Sequence, residues 1–179
     1  MDTIFQVRRA TAADNVLLAY LGAETFGDSF AAANTPEDMS EYLAASFSPA
    51  TQARELEEPM SSFLILERDD ATVGYARLSL GAAPASVAAR KPMEIVRFYS
   101  RKEWIGKGAG PVLMQACLNA AASSECDVIW LSVWERNPRA IAFYRKWGFE
   151  QVGTREFRLG SDLQNDLVMA RTIGDRALT

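Results

Sequence analysis

Three glycines at alternate positions, in Gly106-Lys107-Gly108-Ala109-Gly110, stand immediately before a segment in which Leu113, Met114, Cys117, Leu118 and Ala121 recur at helical spacing. The first backbone N–H groups of a helix have no intrahelical partner, and glycine leaves them unscreened, so such a turn is an anion site. Spacing narrows the choice of anion. A dinucleotide fingerprint requires G-x-G-x-x-G, and here the third glycine comes one residue early. A nucleotide P-loop requires Lys and then Ser or Thr after its last glycine, where this chain has Pro111. What remains is a backbone nest suited to a pyrophosphate, with Lys107 adding charge and Pro111 tolerated in the first helical turn, where its missing N–H is not needed. A tight strand-to-helix turn with nothing bound explains the glycines equally well.

The turn needs a strand to present it, and Glu94-Ile95-Val96-Arg97-Phe98-Tyr99-Ser100 supplies one, since Val96, Phe98 and Tyr99 favour extended backbone. Upstream, Ile4 to Arg9 reads as a first strand. Thr11-Ala12-Ala13-Asp14 has the shape of a capping box and opens a helix with Val16, Leu17, Tyr20 and Leu21, fraying near Gly27. Thr35-Pro36-Glu37-Asp38 is a stronger helix start, with a cap residue, Pro in the first turn and acids where the macrodipole favours them. A further helical piece runs from Pro49 through Leu56. Ser62 to Glu67 and Thr72 to Leu80 form a hairpin over Arg68-Asp69-Asp70-Ala71, and Gly81 to Lys91 is a loop. Beyond the glycine helix, Val128 to Val133 is the apolar run of a strand buried on both faces. Asn137-Pro138 caps a short helix ending at Trp147, with Gly148 at the left-handed stop; strands over Glu150 to Arg158 and Gln164 to Ala170 complete the pattern.

At 179 residues and 49% hydrophobic, the chain reads as one domain over 1–179 with a single core. No apolar run reaches membrane length, and Met1-Asp2-Thr3-Ile4-Phe5 lacks the basic start and apolar centre of a signal peptide, so a cytoplasmic protein is expected. Histidine is absent, which excludes His-based triads and the usual zinc sites. No metal is expected, and acid–base chemistry falls to Glu, Asp, Tyr, Lys, Cys or water. Cys117 and Cys126 make no metal pattern and read as free thiols, Cys117 on the apolar helix face. A net charge of −4 argues against nucleic acid as partner and fits a cationic or neutral small molecule.

The strand, glycine turn and helix resemble the acetyl-CoA-binding core of the GNAT acyltransferase superfamily. Asn137-x-x-Ala140-Ile141-x-Phe143-Tyr144-x-Lys146-x-Gly148-Phe149 resembles its second signature. The two stand in the family's order with one strand between them, and the coarse pattern of elements matches over almost the full chain. Phe26 to Phe30, Ile129 to Glu135 and Asp162 to Met169 further resemble the bacterial polyamine N-acetyltransferase branch. The resemblance implies an α/β (α+β) fold, with a mixed central sheet of about seven strands flanked by helices. It also implies acetyl-CoA as co-substrate and direct attack by a primary amine, polyamine-like, in a ternary complex. An amino acid or a protein N-terminus is the alternative acceptor within the same fold; a non-catalytic acyl-CoA-binding regulator is the alternative from another class. A homodimer is compatible, since apolar residues between Ala82 and Val87 serve an interface or fill a loop. The family usually begins its glycine motif with Gln or Arg where this chain has Ile105; the lost phosphate contact is worth on the order of 1 kcal/mol.

By the same resemblance Glu94 holds the position of the base that deprotonates the amine, directly or through water. Read without it, Glu94 is a strand-end carboxylate paired to Arg97 or facing solvent. The backbone of Phe98, Tyr99 and Ser100 is expected to pair with the pantetheine arm and offer an N–H to the thioester oxygen, while the stretch from Ile105 to Pro111 holds the pyrophosphate. Tyr144 matches the acid that protonates the leaving thiolate, or else is a packing tyrosine. Asn137 is a helix N-cap, a CoA contact, or both. Glu24, Asp28, Glu37, Asp38 and Glu41 cluster in the first helices, where carboxylates hold a distal ammonium or form a solvated face. Trp104 and Trp134 read as core or rim aromatics without a catalytic role.

Overall fold

The computed structural model describes residues 4–174; residues 1–3, which begin the stretch read for a signal peptide, and residues 175–179 lie outside the described residues. The chain runs β1 (Gln6–Arg9), α1 (Asn15–Phe30), α2 (Pro36–Ser46), α3 (Pro49–Glu57), β2 (Ser61–Arg68), β3 (Ala71–Leu80), β4 (Pro92–Ser100), α4 (Ala109–Ser123), β5 (Val128–Trp134), α5 (Pro138–Lys146), β6 (Glu150–Leu159) and β7 (Asp162–Thr172). The seven strands form one mixed sheet in the order β1-β2-β3-β4-β5-β7-β6, with β4 and β5 its parallel pair. This is the α/β arrangement that the GNAT resemblance implies.

Local chemistry explains most boundaries. The side chains of Thr35, Ser48 and Asn137 each accept a backbone N–H from the first turn of α2, α3 and α5, and each is followed by Pro, whose fixed φ suits that turn. Asp69 and Asp70 both take positive φ, 51° and 62°, the mirror-type turn that matches strand twist in a tight hairpin. β4 and β7 extend beyond their expected ends, to Pro92–Ser100 and Asp162–Thr172, and two bounds near the N-terminus also shift. β1 starts at Gln6 rather than Ile4, because its register with β2 begins at Gln6↔Glu67 and Ile4 is exposed. α1 does not fray at Gly27 but continues to Phe30, whose ring packs 4.4 Å from that of Phe26. That burial outweighs the roughly 1 kcal/mol propensity cost of one helical glycine.

Each face of the sheet has its own core. On β2, Leu64 and Leu66 face α4, joining Leu113, Met114, Cys117 and Ile129, while Phe63 and Ile65 face α1 with Leu18, Leu21 and Tyr75. Strict alternation buries the strand on both sides. α3 is tied to the α1 face through Glu55, which accepts from Arg97 at 2.6 and 2.9 Å and from Arg77 at 2.7 Å. Val87 lies buried against Val128, Trp130 and Val168, so the loop before β4 covers this chain's own sheet.

Two features open and brace the middle of the molecule. First, β4 pairs with β5 only from Pro92↔Val128 to Ile95↔Leu131, and a bulge at Val96 interrupts its ladder with β3 between Ile95 and Arg97. Bulges bend a strand and re-aim it. Beyond Ile95 the two strands part, leaving the β5-facing edge of β4 without a strand partner among the described residues. Second, Asp38 on α2 accepts from the backbone N–H and the hydroxyl of Ser161, at 2.6 and 3.0 Å, in the β6–β7 turn. A Cβ at Gly160 would fall on the Asp38 carboxylate, and Gly160 has φ +59°, so glycine is required there on both counts.

Candidate active site

A cavity of about 770 Å³ opens where β4 and β5 part and passes between the two faces of the sheet. On the α4/α5 side its lining includes Ile105, Gly106, Gly108, Gly110, Pro111, Asn137 and Tyr144; the β4 backbone from Ile95 to Ser100 runs through its middle. Phe26, Phe30, Tyr42, Phe47, Glu94, Ser132, Phe157, Gln164 and Asp166 line the α1/α2 side.

Gly106 and Gly108 have φ +78° and +91°, and Gly108 caps α4 with no side-chain hydrogen bond to the helix's first N–H groups. A side chain would be strained at either position and would screen those donors. Gly110 serves packing: a Cβ there would lie 3.3 Å from the Phe143 ring, so it lets α5 approach α4. Lys107 and Ala109 do not line the cavity. Lys107 Nζ sits 5.9 Å from the Trp104 ring centroid and Ala109 is buried under the turn, so their share in an anion site is backbone. Uncapped donors, an unpaired strand edge and a channel joining them fit the phosphates and the amide-bearing arm of a coenzyme A thioester. Among the described residues no group of three metal-ligating side chains occurs, and no helix is long and apolar enough to cross a membrane.

Tyr144 is 8% exposed, held edge-on against Phe98, Phe143 and Phe149 at centroid distances of 6.1, 5.6 and 5.9 Å. Burial raises its phenol above the ordinary value of 10.0, so it stays protonated at neutral pH and presents a donor. Packing and donor roles coincide in this residue. Asn137 likewise combines two: its Oδ1 accepts from Ala140 N at 3.1 Å while the residue lines the cavity.

Glu94 does not pair with Arg97, whose guanidinium is committed to Glu55; its nearest cation is Arg155, Nη1 at 3.7 Å. Burial raises the Glu94 carboxyl above the ordinary carboxylate value, with Arg155 and Arg77 opposing the rise. The result is a stronger base than a solvated glutamate, facing the cavity.

The acids of the first helices are placed elsewhere, and the expectation that Glu24, Asp28 and Glu41 bind substrate needs correction. Glu24 accepts from Arg101 at 2.9 Å, Asp28, Glu37 and Glu41 are exposed, Asp38 binds Ser161, and none of the five lines the cavity. α1 and α2 turn their aromatic stripe of Phe26, Phe30 and Tyr42 inward, which sends the intervening acids outward. The carboxylates that line the cavity are Glu94 and Asp166. Asp166, Gln164, Ser132 and Arg155 are absent from the sequence reading of the site. The available signal was the alternation of Gln164, Asp166 and Val168 along β7, polar residues sharing a face with a core valine.

Residues 23–149 match the Acetyltransferase (GNAT) family. An uncharacterized N-acetyltransferase of Mycobacterium tuberculosis is 35% identical over 156 residues, 87% of this chain and 96% of that protein. N-alpha-acetyltransferase RimI of the same organism is 30% identical over 128 residues, 71% of this chain and 76% of RimI. A probable spermine N(1)-acetyltransferase of Bacillus subtilis subsp. natto is 36% identical over 62 residues, 34% of this chain and 41% of that protein. The crystal structure of PaiA N-acetyltransferase from Thermoplasma acidophilum, in complex with coenzyme A, shares the fold with a TM-score of 0.75 at 18% identity, over 94% of this chain and 99% of that one. The glycine turn, the parted strands and the family match over most of the chain converge: this protein belongs to the GNAT acetyltransferase family and is an acetyl-CoA-dependent acyltransferase.

Proposed function

We propose that the protein transfers the acetyl group of acetyl-CoA to a primary amine of a small, polyamine-like molecule, by direct attack in a ternary complex. The observation that carries this reading is one cavity with two unlike sides: uncapped donors and Tyr144 on the α4/α5 side, carboxylates among aromatic rings on the other. Acetyl-CoA supplies the acetyl group as a thioester. The backbone donors of Gly106 to Gly110 take the pyrophosphate, and the free edge of β4 at Phe98 to Ser100 pairs with the amide-bearing arm and aims an N–H at the carbonyl oxygen. Glu94 accepts the amine's proton, directly or through a water, so that the nitrogen lone pair is free to attack. Tyr144 donates its hydroxyl hydrogen toward the sulfur as negative charge develops there.

A protein N-terminus is the second reading, supported by the RimI relative, whose match covers more of this chain than that of the spermine acetyltransferase. Thiol release from acetyl-CoA separates the two, with spermidine, spermine, free amino acids and a short peptide as acceptors. Polyamine turnover is the expected result. Turnover confined to the peptide would replace it with the second reading.

A further inference from the structure

Asp166 and Gln164 lie two residues apart on β7 and are 8% and 9% exposed, while Leu163 beside them is 52% exposed. At this end of β7 an amide and a carboxylate are buried while a leucine is exposed, although Leu167 and Met169, in register with that leucine, pack in the core. Asp166 Oδ1 and Gln164 Oε1 are both buried without a hydrogen-bond partner among the described residues, and both residues line the cavity. The Gln164 amide is not free to turn and repair this. Its Nε2 donates to Asn34 Oδ1 at 2.7 Å and Asp162 Oδ2 at 2.8 Å, which fixes Oε1.

Asp166 and Gln164 thus put acceptor capacity that no described donor uses into the cavity wall, beside the Ser132 hydroxyl, which is also unpartnered, and a ligand rich in donors complements that wall. An ammonium carries three N–H donors and no acceptor. The surroundings suit a cation in a second way. In strand register Trp134 stands opposite Asp166 and Phe157 opposite Gln164, and the Tyr42 ring lies 5.6 Å from that of Phe157, so aromatic faces line the subsite. Of the charged and titratable groups around Asp166, Arg155 on β6 reaches to Glu94 on β4 at 3.7 Å; Glu135 follows β5, and Tyr42 comes from α2. Arg155 is thus paired to Glu94, and among the described residues no cation lies within 4.0 Å of Asp166, leaving a net negative charge. Burial pushes the Asp166 carboxyl up to about 6, with Arg155 opposing and Glu135 adding, so it is ionised at neutral pH.

We propose that Asp166 and Gln164 form a subsite for a second cationic nitrogen of the acceptor, so that the enzyme selects amines bearing another ammonium over monoamines and over amino acids, whose carboxylate would meet Asp166 without a donor. The inference rests on the reading of a polyamine-like amine as acceptor, and its test is built to fail separately. Spermidine and butylamine are compared as acceptors, and spermidine binding to the CoA-loaded protein is measured by calorimetry, for the wild type, Asp166→Asn and Gln164→Met. In Asp166→Asn the KM and Kd for spermidine rise at least tenfold and the preference for spermidine over butylamine in kcat/KM falls at least tenfold, while the affinity for acetyl-CoA stays within about twofold to threefold. The thermal midpoint is not lowered, because an unpaired buried charge is removed. Gln164→Met shows the same selective loss at several-fold, and stands in should the first variant misfold. Spermidine constants that move by less than twofold in a folded variant, or butylamine losing as much as spermidine, would overturn the subsite. Binding of spermidine that depends on Asp166, with no thiol release from spermidine, would keep the subsite and remove the reading of a polyamine as the acetyl acceptor.

Discussion

The two sides of the cavity are built by opposite means. The α4/α5 side comes from two local motifs: five residues of turn that start α4, and one short helix, α5, that carries Tyr144 and is capped by Asn137. Its working groups are largely backbone donors set by glycine conformation. The α1/α2 side is gathered from α1, α2, β4, β5, β6 and β7, and its working groups are side chains at positions with no local motif. A common donor can be held by a local, backbone-made site, whereas acceptor choice is written in dispersed side chains that vary without disturbing the fold.

Substitutions on the two sides are expected to have unlike effects. The largest effect is expected for Tyr144→Phe, which keeps the packing against Phe98, Phe143 and Phe149 but removes the donor: kcat falls by about 10² to 10³ while acetyl-CoA affinity stays within about twofold. Unchanged turnover in that variant would reduce Tyr144 to a packing residue. Glu94→Gln comes next, with a loss of about 10² in kcat. Its pH profile, taken with butylamine so that Asp166 plays no part in binding, carries the diagnosis. The base works only when deprotonated and burial raises its pKa, so wild-type kcat/KM climbs with pH through a limb above the ordinary carboxylate range. In the variant that limb disappears, and only the rise from the amine's own deprotonation remains.

On the backbone-made side, Gly108→Val forces a β-branched residue to φ +91°. A left-handed conformation costs roughly 1–2 kcal/mol, so acetyl-CoA Kd is expected to rise about tenfold with kcat little changed, measured by calorimetry and saturating kinetics. The smallest effect belongs to Asp28→Asn and Glu41→Gln, exposed residues outside the cavity: polyamine kcat/KM should stay within about twofold. A tenfold loss in either would restore the first helices to the acceptor site.

Legibility in the sequence divides along the same line. The glycine turn, the Asn137 cap, the Gly148 stop and the order of strands are legible because each depends on neighbours within a few residues. The strand around Glu94 is legible too, but its partner is not: Arg97 is three residues away and goes to Glu55, while Arg155 arrives from another strand. The acids of α1 and α2 mislead because charge density along a helix does not say which face turns inward; the stripe of Phe26, Phe30 and Tyr42 decides that. On β7, Gln164, Asp166 and Val168 alternate with Leu163, Leu167 and Met169, and the more apolar set would be expected to point into the core. The packing of Leu167 and Met169 near α4 and of Val168 on the other face shows that both faces are covered, and only the tertiary structure places the polar pair in a cavity.

Because Asp38 accepts two hydrogen bonds from Ser161 in the β6–β7 turn, the wall bearing Tyr42 is tied to the wall bearing Phe157, Gln164 and Asp166. One carboxylate outside the cavity lining thus joins two of its walls.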